Sequence, residues 1–216
     1  MLLRRLQELL AGIYDVHVEH DVRDFVTSDR GFLPEHARAS GTDEQLLVEG
    51  GGEQLGVALF LDQALLARLE RTDPLGALHG GNIGDWWTAL EGVSHFVCVA
   101  WNAHHDRDVS LLELELQAEI DKYVATFSLL RRQAPGHFPH ELHRILFGRT
   151  HVDPQLPPAR AALYRRASAY AARFCRRIET RLRRPAEEAS REMTAELRRF
   201  YRLTEARKLA HIERCA

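Results

Sequence analysis

The chain has 216 residues, of which 45% are hydrophobic and 28% charged. This length corresponds to one globular domain or two small ones, and it can bury a core without a disulfide or metal staple. The three cysteines, Cys98, Cys175 and Cys215, lie far apart and form no CxxC pair. This spacing excludes a disulfide framework and a cysteine-type zinc site, and it favours a reducing compartment, the cytoplasm. No uncharged apolar run reaches 18 residues, so we expect no membrane span and no membrane partner.

The net charge of -2 conceals a division along the chain. Residues 1–143 carry 11 Lys/Arg against 23 Asp/Glu, whereas residues 144–216 carry 18 against 8. A division of this kind indicates a basic surface for an acidic protein or a nucleic acid, or two parts that neutralise each other when they pack. Both readings stay open from composition alone.

The first 75 residues alternate between helical and strand-like patterns. Leucines at helical spacing predict a helix over 2–13, and alternating valines predict a strand over 16–22. Residues 28–42 have no clear period and are predicted to be loop. Two β-rich runs, 44–49 and 54–61, flank Gly50, Gly51 and Gly52 and therefore predict a hairpin.

The remainder of the chain is predicted to be almost entirely helical. Helices are expected over 63–71 after an Asp62 cap, over 86–101 after Asp85, from Asp108 or Ser110 to Arg132, in HELHRILFG, over about 159–184, and over 186–214 after Pro185. The predicted fold class is α+β and predominantly helical. A small antiparallel β region over 1–75 would share one core with a five-helix bundle within 76–216.

One acidic residue stands in an otherwise apolar helix. Between Trp86 and His105 the only charged side chain is that of Glu91, and helices that are apolar around their circumference are buried. A buried carboxylate is costly unless it has a partner. His95 follows one turn later, about 40° away around the helix, and is the expected partner of Glu91.

The next helix carries Glu115 and Glu119 on one flank. Because the connection between the two helices is short, we expect an antiparallel pair in which Glu91, His95, Glu115 and Glu119 converge. Carboxylates and an imidazole in a helical core can hold iron, manganese or zinc. His104 or His105 would then carry protons. The spacing departs from the di-iron pattern, because Glu-x-x-x-His occurs once and Glu-x-x-His does not occur here.

A structural interpretation of the same residues is equally specific. Glu91 and His95 can form a buried hydrogen bond, or Lys122 or an arginine can close a polar network around them. Glu119 and Lys122 also have the spacing of an ordinary helical ion pair.

The helix over 159–184 has an apolar stripe and, opposite it, arginines at helical spacing. One predicted row contains Arg166, Arg173, Arg177 and Arg184. Such a row can bind an acidic protein surface or follow the phosphates of a nucleic acid, although few aromatic residues lie between the arginines to stack on bases.

No complete catalytic motif is present, since the chain contains no GxSxG, no phosphate-binding GxxxxGK[ST] and no HExxH. The leading sequence-based hypothesis is a cytoplasmic, non-catalytic interaction or regulatory protein that binds a partner through its arginine-rich helical hairpin. The first alternative is a metal-dependent enzyme, a hydrolase or oxidoreductase, with the Glu/His centre. The second is nucleic-acid binding through the basic C-terminal helices.

Overall fold

The structure is a computed structural model that describes residues 2–51, 54–148, 156–183 and 186–214. It is 67% helical and has a three-stranded sheet, which confirms the predicted α+β, predominantly helical class. The helices in the described residues are α1 (Leu2–Tyr14), α2 (Glu35–Ser40), α3 (Gln63–Arg71), α4 (Ile83–His104), α5 (Leu111–Gln133), α6 (Leu142–Phe147), α7 (Pro158–Leu182), α8 (Ala186–Tyr201) and α9 (Glu205–Glu213). Among these, none combines the length and the apolar character that a membrane crossing requires.

The sheet contains the predicted hairpin and one short additional strand. β2 (Glu44–Gly51) pairs antiparallel with β3 (Gln54–Leu61), and β1 (Val26–Thr27) pairs parallel with β3 on its other side. The hairpin prediction is therefore confirmed, although residues 52 and 53 of its turn lie outside the described residues. The antiparallel register begins with Glu44 opposite Leu61, which places Glu44 at the end of the hairpin farthest from the turn.

The predicted strand over 16–22 is wrong. Residues 16–21 form irregular structure and lead into a 3-10 turn over Val22–Phe25. The side chain of Gln7 on α1 donates to the carbonyl of His20 at 2.6 Å and accepts from the amide of Val22 at 2.8 Å. These backbone groups are thus satisfied by a buried side chain, and a strand partner is not needed.

Two other segments differ from the prediction. The expected loop over 28–42 contains a second 3-10 turn and the short helix α2. The predicted helix over 186–214 is interrupted after α8, and α9 restarts behind Thr204 at its N-cap. The described residues after 76 therefore contain six helices, whereas five were expected. Pro185, the predicted break, lies outside the described residues.

The predicted N-caps of α3 and α5 are present in the structure, whereas the predicted N-cap of α4 is not. Asp62 accepts from the amide of Ala64 and Ser110 accepts from the amide of Glu113, so both predicted caps are confirmed. Asp85 is not a cap. Helix α4 begins two residues earlier, and the Asp85 carboxylate is bound by the guanidinium of Arg68 at 2.9 Å.

Helices α4 and α5 form the centre of the molecule. They run antiparallel, because Trp86 contacts Thr126 at one end while His95 faces Glu115 towards the other. The hairpin and α1 pack on α4, and α7 packs along α5. The main buried apolar cluster contains residues of every helix except α2, from Leu6 to Ile212, and a smaller one contains Leu33, Ala37 and Phe60. The midpoint of α4 and α5 is consequently enclosed on several sides.

Candidate metal centre

Three of the predicted ligands come together between α4 and α5. One nitrogen of His95 and one oxygen each of Glu91 and Glu115 all lie within 4.8 Å of one another. Glu91 and His95 are one turn apart on α4, and Glu115 reaches them from the first half of α5. We call Glu91, His95 and Glu115 the ligand triad.

The imidazole of His95 lies between two carboxylates. Its Nδ1 is 3.6 Å from Oε1 of Glu44, and its Nε2 is 3.8 Å from Oε2 of Glu115. Only 8% of the His95 side chain is exposed. Both distances are too long for hydrogen bonds. Accordingly, His95 Nε2 and Glu44 Oε1 are buried polar atoms that have no hydrogen-bond partner within the described part of the chain.

Glu44 is a member of the site that sequence reasoning missed. It was predicted as the first residue of a strand, and nothing in the strand pattern indicated contact with the acidic helix. Its approach depends on Gly92, where a Cβ atom would lie 2.9 Å from Glu44 Cγ and 2.9 Å from Leu59 Cδ1. A glycine inside an apolar helix, facing the hairpin, is the one sequence signal for this close approach.

Lys122 is the hydrogen-bonding partner of Glu91. Its Nζ donates to Glu91 Oε2 at 2.9 Å and to Glu119 Oε1 at 2.6 Å. The expectation that His95 would meet Glu91 through a hydrogen bond is therefore wrong, and the network closed by Lys122 is the arrangement found. Glu119 is held beside Lys122 and is not part of the ligand triad. Glu91 is not completely enclosed, since 28% of its side chain is exposed.

Burial and mutual charge shift the pKa values of these groups. Burial raises the pKa of Glu115 to about 7, against the opposing charge of His95. Burial disfavours the charged imidazole of His95, but Glu44 and Glu115 outweigh it and raise the pKa of His95 to about 9. The pKa of Glu91 is lowered, because Lys122 and His95 together overcome the effect of burial. Without a metal ion, protons on His95 and Glu115 would offset part of the negative charge.

The ligand atoms lie somewhat farther apart than in a centre that holds a divalent ion. Zinc binds imidazole nitrogen and carboxylate oxygen at about 2.1 Å, so two ligand atoms of a tetrahedral site lie about 3.4 Å apart. The 3.8 Å from His95 Nε2 to Glu115 Oε2 exceeds this separation by roughly 0.4 Å. A pair as far apart as 4.8 Å would have to close by roughly 1.4 Å. Glu44 faces the other nitrogen of His95, as carboxylates do when they orient a metal-binding imidazole.

The predicted proton carriers do not lie at the centre. His104 is nine residues beyond His95 on α4, which is roughly 13 Å along the helix axis. It lines a separate cavity of about 200 Å³ whose wall also includes His17, His20 and Phe96. His105 follows the end of α4, and its Nδ1 lies 2.7 Å from the carbonyl oxygen of Trp101. The position of both residues contradicts a direct role in proton transfer at the ligand triad.

A second buried polar network, which no sequence pattern predicted, lies on the other side of α5. Asp121 accepts hydrogen bonds from Ser94 Oγ at 2.6 Å, from Gln117 Nε2 at 2.8 Å and from the hydroxyl of Tyr14. Lys208 on α9 extends the network through Gln117. These side chains join α1, α4, α5 and α9 through fully buried contacts.

The arginine row is divided by the fold. Arg166 and Arg173 are exposed on α7, and each guanidinium carbon lies 5.7 Å from the centre of the Tyr170 ring. Arg177 is instead turned inward, where it donates to Glu196 at 2.6 Å and has only 16% of its side chain exposed. It does not belong to an exposed row, because its guanidinium lies against Glu196 of α8 and His211 of α9. Arg184 lies outside the described residues.

Carboxylates and an imidazole that converge between antiparallel helices define a general class of candidate metal centre. Comparison of the chain with protein-family models, with curated proteins and with solved structures finds no match.

Proposed function

We propose that this protein binds one divalent iron, manganese or zinc ion at Glu91, His95 and Glu115 and uses it as a metal-dependent enzyme. One observation carries the proposal. Three potential ligand atoms lie within 4.8 Å of one another, and the nitrogen of His95 that faces Glu115 is buried and forms no hydrogen bond with any residue that the structure describes. Such an atom is costly to bury, and coordination would satisfy it.

The charges in and around the triad favour a cation. Among the described residues, ion pairs join the four carboxylates of Glu44, Glu91, Glu115 and Glu119 to the basic side chains of His95 and Lys122. A divalent ion would replace the proton on His95 and compensate most of the remaining negative charge.

The chemistry follows from the number of ligands. Three protein ligands leave a coordination position for water, and a bound divalent ion lowers the pKa of that water towards neutrality. Glu91 marks the side on which the centre is not fully enclosed. Hydrolysis and oxidation both fit such a centre. The free, buried thiols of Cys98 and Cys175 support the cytoplasm as the proposed location.

Metal analysis tests this function directly. After dialysis against 1 mM Mn²⁺, Fe²⁺ or Zn²⁺ and gel filtration, we expect about one ion per chain in the wild type and a loss of at least tenfold in affinity for His95→Ala. His104→Ala is the matched control, because it removes an exposed imidazole from the same helix. Metal-free wild-type protein, or equal loss in both variants, would refute the proposal.

A second candidate function is binding of an acidic protein through α7. The exposed guanidinium groups of Arg166 and Arg173 on the Tyr170 ring favour it, because a stacked arginine keeps its hydrogen-bond donors free for carboxylates. This candidate retains the interaction or regulatory role indicated by the charge division, and the two functions are compatible in one molecule.

The arginine surface is tested with a fluorescent poly-glutamate peptide and a single-stranded oligonucleotide at low salt. We expect Arg166→Glu/Arg173→Glu to weaken peptide binding by at least tenfold, since each reversal removes an attractive charge and adds a repulsive one. Arg5→Glu/Arg71→Glu changes the net charge equally at exposed arginines of the acidic part. A similar loss in that control would show a net-charge effect only, and preference for the oligonucleotide would favour nucleic acid.

A further inference from the structure

We propose that Lys122 is a built-in second cation of this centre, which limits it to one metal ion where its carboxylates would otherwise accept two. The inference rests on the proposed function, because it concerns the stoichiometry of the same site. It assigns Lys122 a role as the residue that determines how many ions the centre holds.

The position of the ammonium group carries the argument. Lys122 Nζ lies 2.9 Å from Glu91 Oε2 and 2.6 Å from Glu119 Oε1, and it connects a carboxylate on α4 with one on α5. Only 11% of the Lys122 side chain is exposed. A cation between glutamates of neighbouring helices is the arrangement of a metal ion in a carboxylate-bridged pair within a helical bundle.

The Glu91 carboxylate takes part both in the ion pair with Lys122 and in the ligand triad. One of its oxygens accepts from Lys122, and the same carboxylate is a member of the ligand triad with His95 and Glu115. Two-metal sites place their ions about 3.5–4 Å apart and share ligands between them. In this chain the shared carboxylate connects the predicted ion position with an ammonium group.

Removal of Lys122 would leave neighbouring carboxylates without a compensating positive charge. Without the ammonium, Glu91 and Glu119 would face each other across a space lined by Glu115 as well. Breaking a buried ion pair by removing one partner leaves an uncompensated charge and destabilises the protein. Because the oxygens are already assembled, binding a second divalent ion would recover that cost.

The experiment counts bound Mn²⁺ by equilibrium dialysis combined with electron paramagnetic resonance of the free ion. We expect one ion per chain for the wild type, two for Lys122→Met and one for Lys122→Arg, which retains the positive charge. Adding Glu119→Gln to Lys122→Met removes a ligand of the additional ion alone, and we expect the count to return to one.

The outcomes separate the two proposals. A wild type that binds no ion contradicts the proposed function, whereas the role of Lys122 is judged by the difference between Lys122→Met and the wild type. One additional ion upholds that role, and equal counts overturn it. Circular dichroism checks that each variant is folded. Should Lys122→Met fail to fold, Lys122→Gln replaces it, and its ion count is compared with that of the wild type in the same way.

Discussion

Asp121 shows how a single buried carboxyl group makes stability depend on pH. Burial raises the pKa of Asp121 to about 6, although hydrogen bonds from Ser94, Tyr14 and Gln117 and the charge of Lys208 oppose the shift. In an unfolded chain the same group has a pKa of about 3.9. The folded state therefore binds more protons between these values, and its stability falls as the pH rises through 6.

We expect this group alone to lower the free energy of unfolding by about 1.4 kcal/mol between pH 5 and pH 7.5. Urea unfolding gives the free energy of unfolding of the wild type and of Asp121→Asn at both pH values. The loss of stability between pH 5 and pH 7.5 is then compared between the two proteins. The amide cannot ionise, so the variant is expected to lose less stability over this interval. A pH dependence identical in the two proteins would contradict the assignment.

For single residues, the sequence indicated which side chains need a polar contact better than it indicated which side chain provides that contact. A lone acid in an apolar helix predicted a partner for the Glu91 carboxylate, because few buried charges are tolerated without compensation. The compensation came from Lys122 on α5 and not from His95 on the same helix. Helical spacing gives neighbours within one element, whereas partners across elements depend on packing that a single pattern does not contain.

Gly92 decides how closely the hairpin approaches α4. A methyl group at this position would lie 2.9 Å from atoms of Glu44 and Leu59, so one of these buried side chains would have to move. Displacement of Glu44 would release the orientation of His95. The glycine thus connects the packing of β2 and β3 to the geometry of the ligand triad.

We expect Gly92→Ala to destabilise the protein by about 1–3 kcal/mol and to weaken Mn²⁺ binding. Gly84→Ala on the same helix is the matched control, because apart from the adjoining residues and helix backbone no atom of the described residues lies within 4 Å of the position of its Cβ. Alanine is the better helix former, so the control is expected to gain up to about 1 kcal/mol. Thermal unfolding and Mn²⁺ titration measure both effects, and parallel behaviour of the two variants would argue against the close contact.

Elements with a strong local signal were predicted within a few residues, including the hairpin and the helices capped by Asp62 and Ser110. Segments whose conformation depends on tertiary contacts were not predicted correctly. The alternating valines of 16–22 indicated a strand, but Gln7 from α1 satisfies the backbone there. The break between α8 and α9 was not predicted either. Each of the two helices is amphipathic, so their apolar residues together have the pattern of one continuous helix.

For the whole molecule, part of the charge division is satisfied internally. Lys208 lies 2.9 Å from Glu113, and Arg198 lies 3.5 Å from Asp15, so basic residues of the last helices meet acidic residues of the first part. Arg202 adds hydrogen bonds to the backbone carbonyls of Tyr14 and Asp15. Composition gave both readings of the charge division equal weight, and these contacts support packing of the two parts against each other.

The position of Glu44 on a strand has a consequence for how the protein would respond to loss of its ion. Glu44 lies on β2 and faces His95, so an ion held by the ligand triad would also fix the imidazole against the edge of the sheet. Chelation would release that restraint on β2. The strand β3 would stay in place, because Leu59, Phe60 and Leu61 are completely buried against the rest of the molecule.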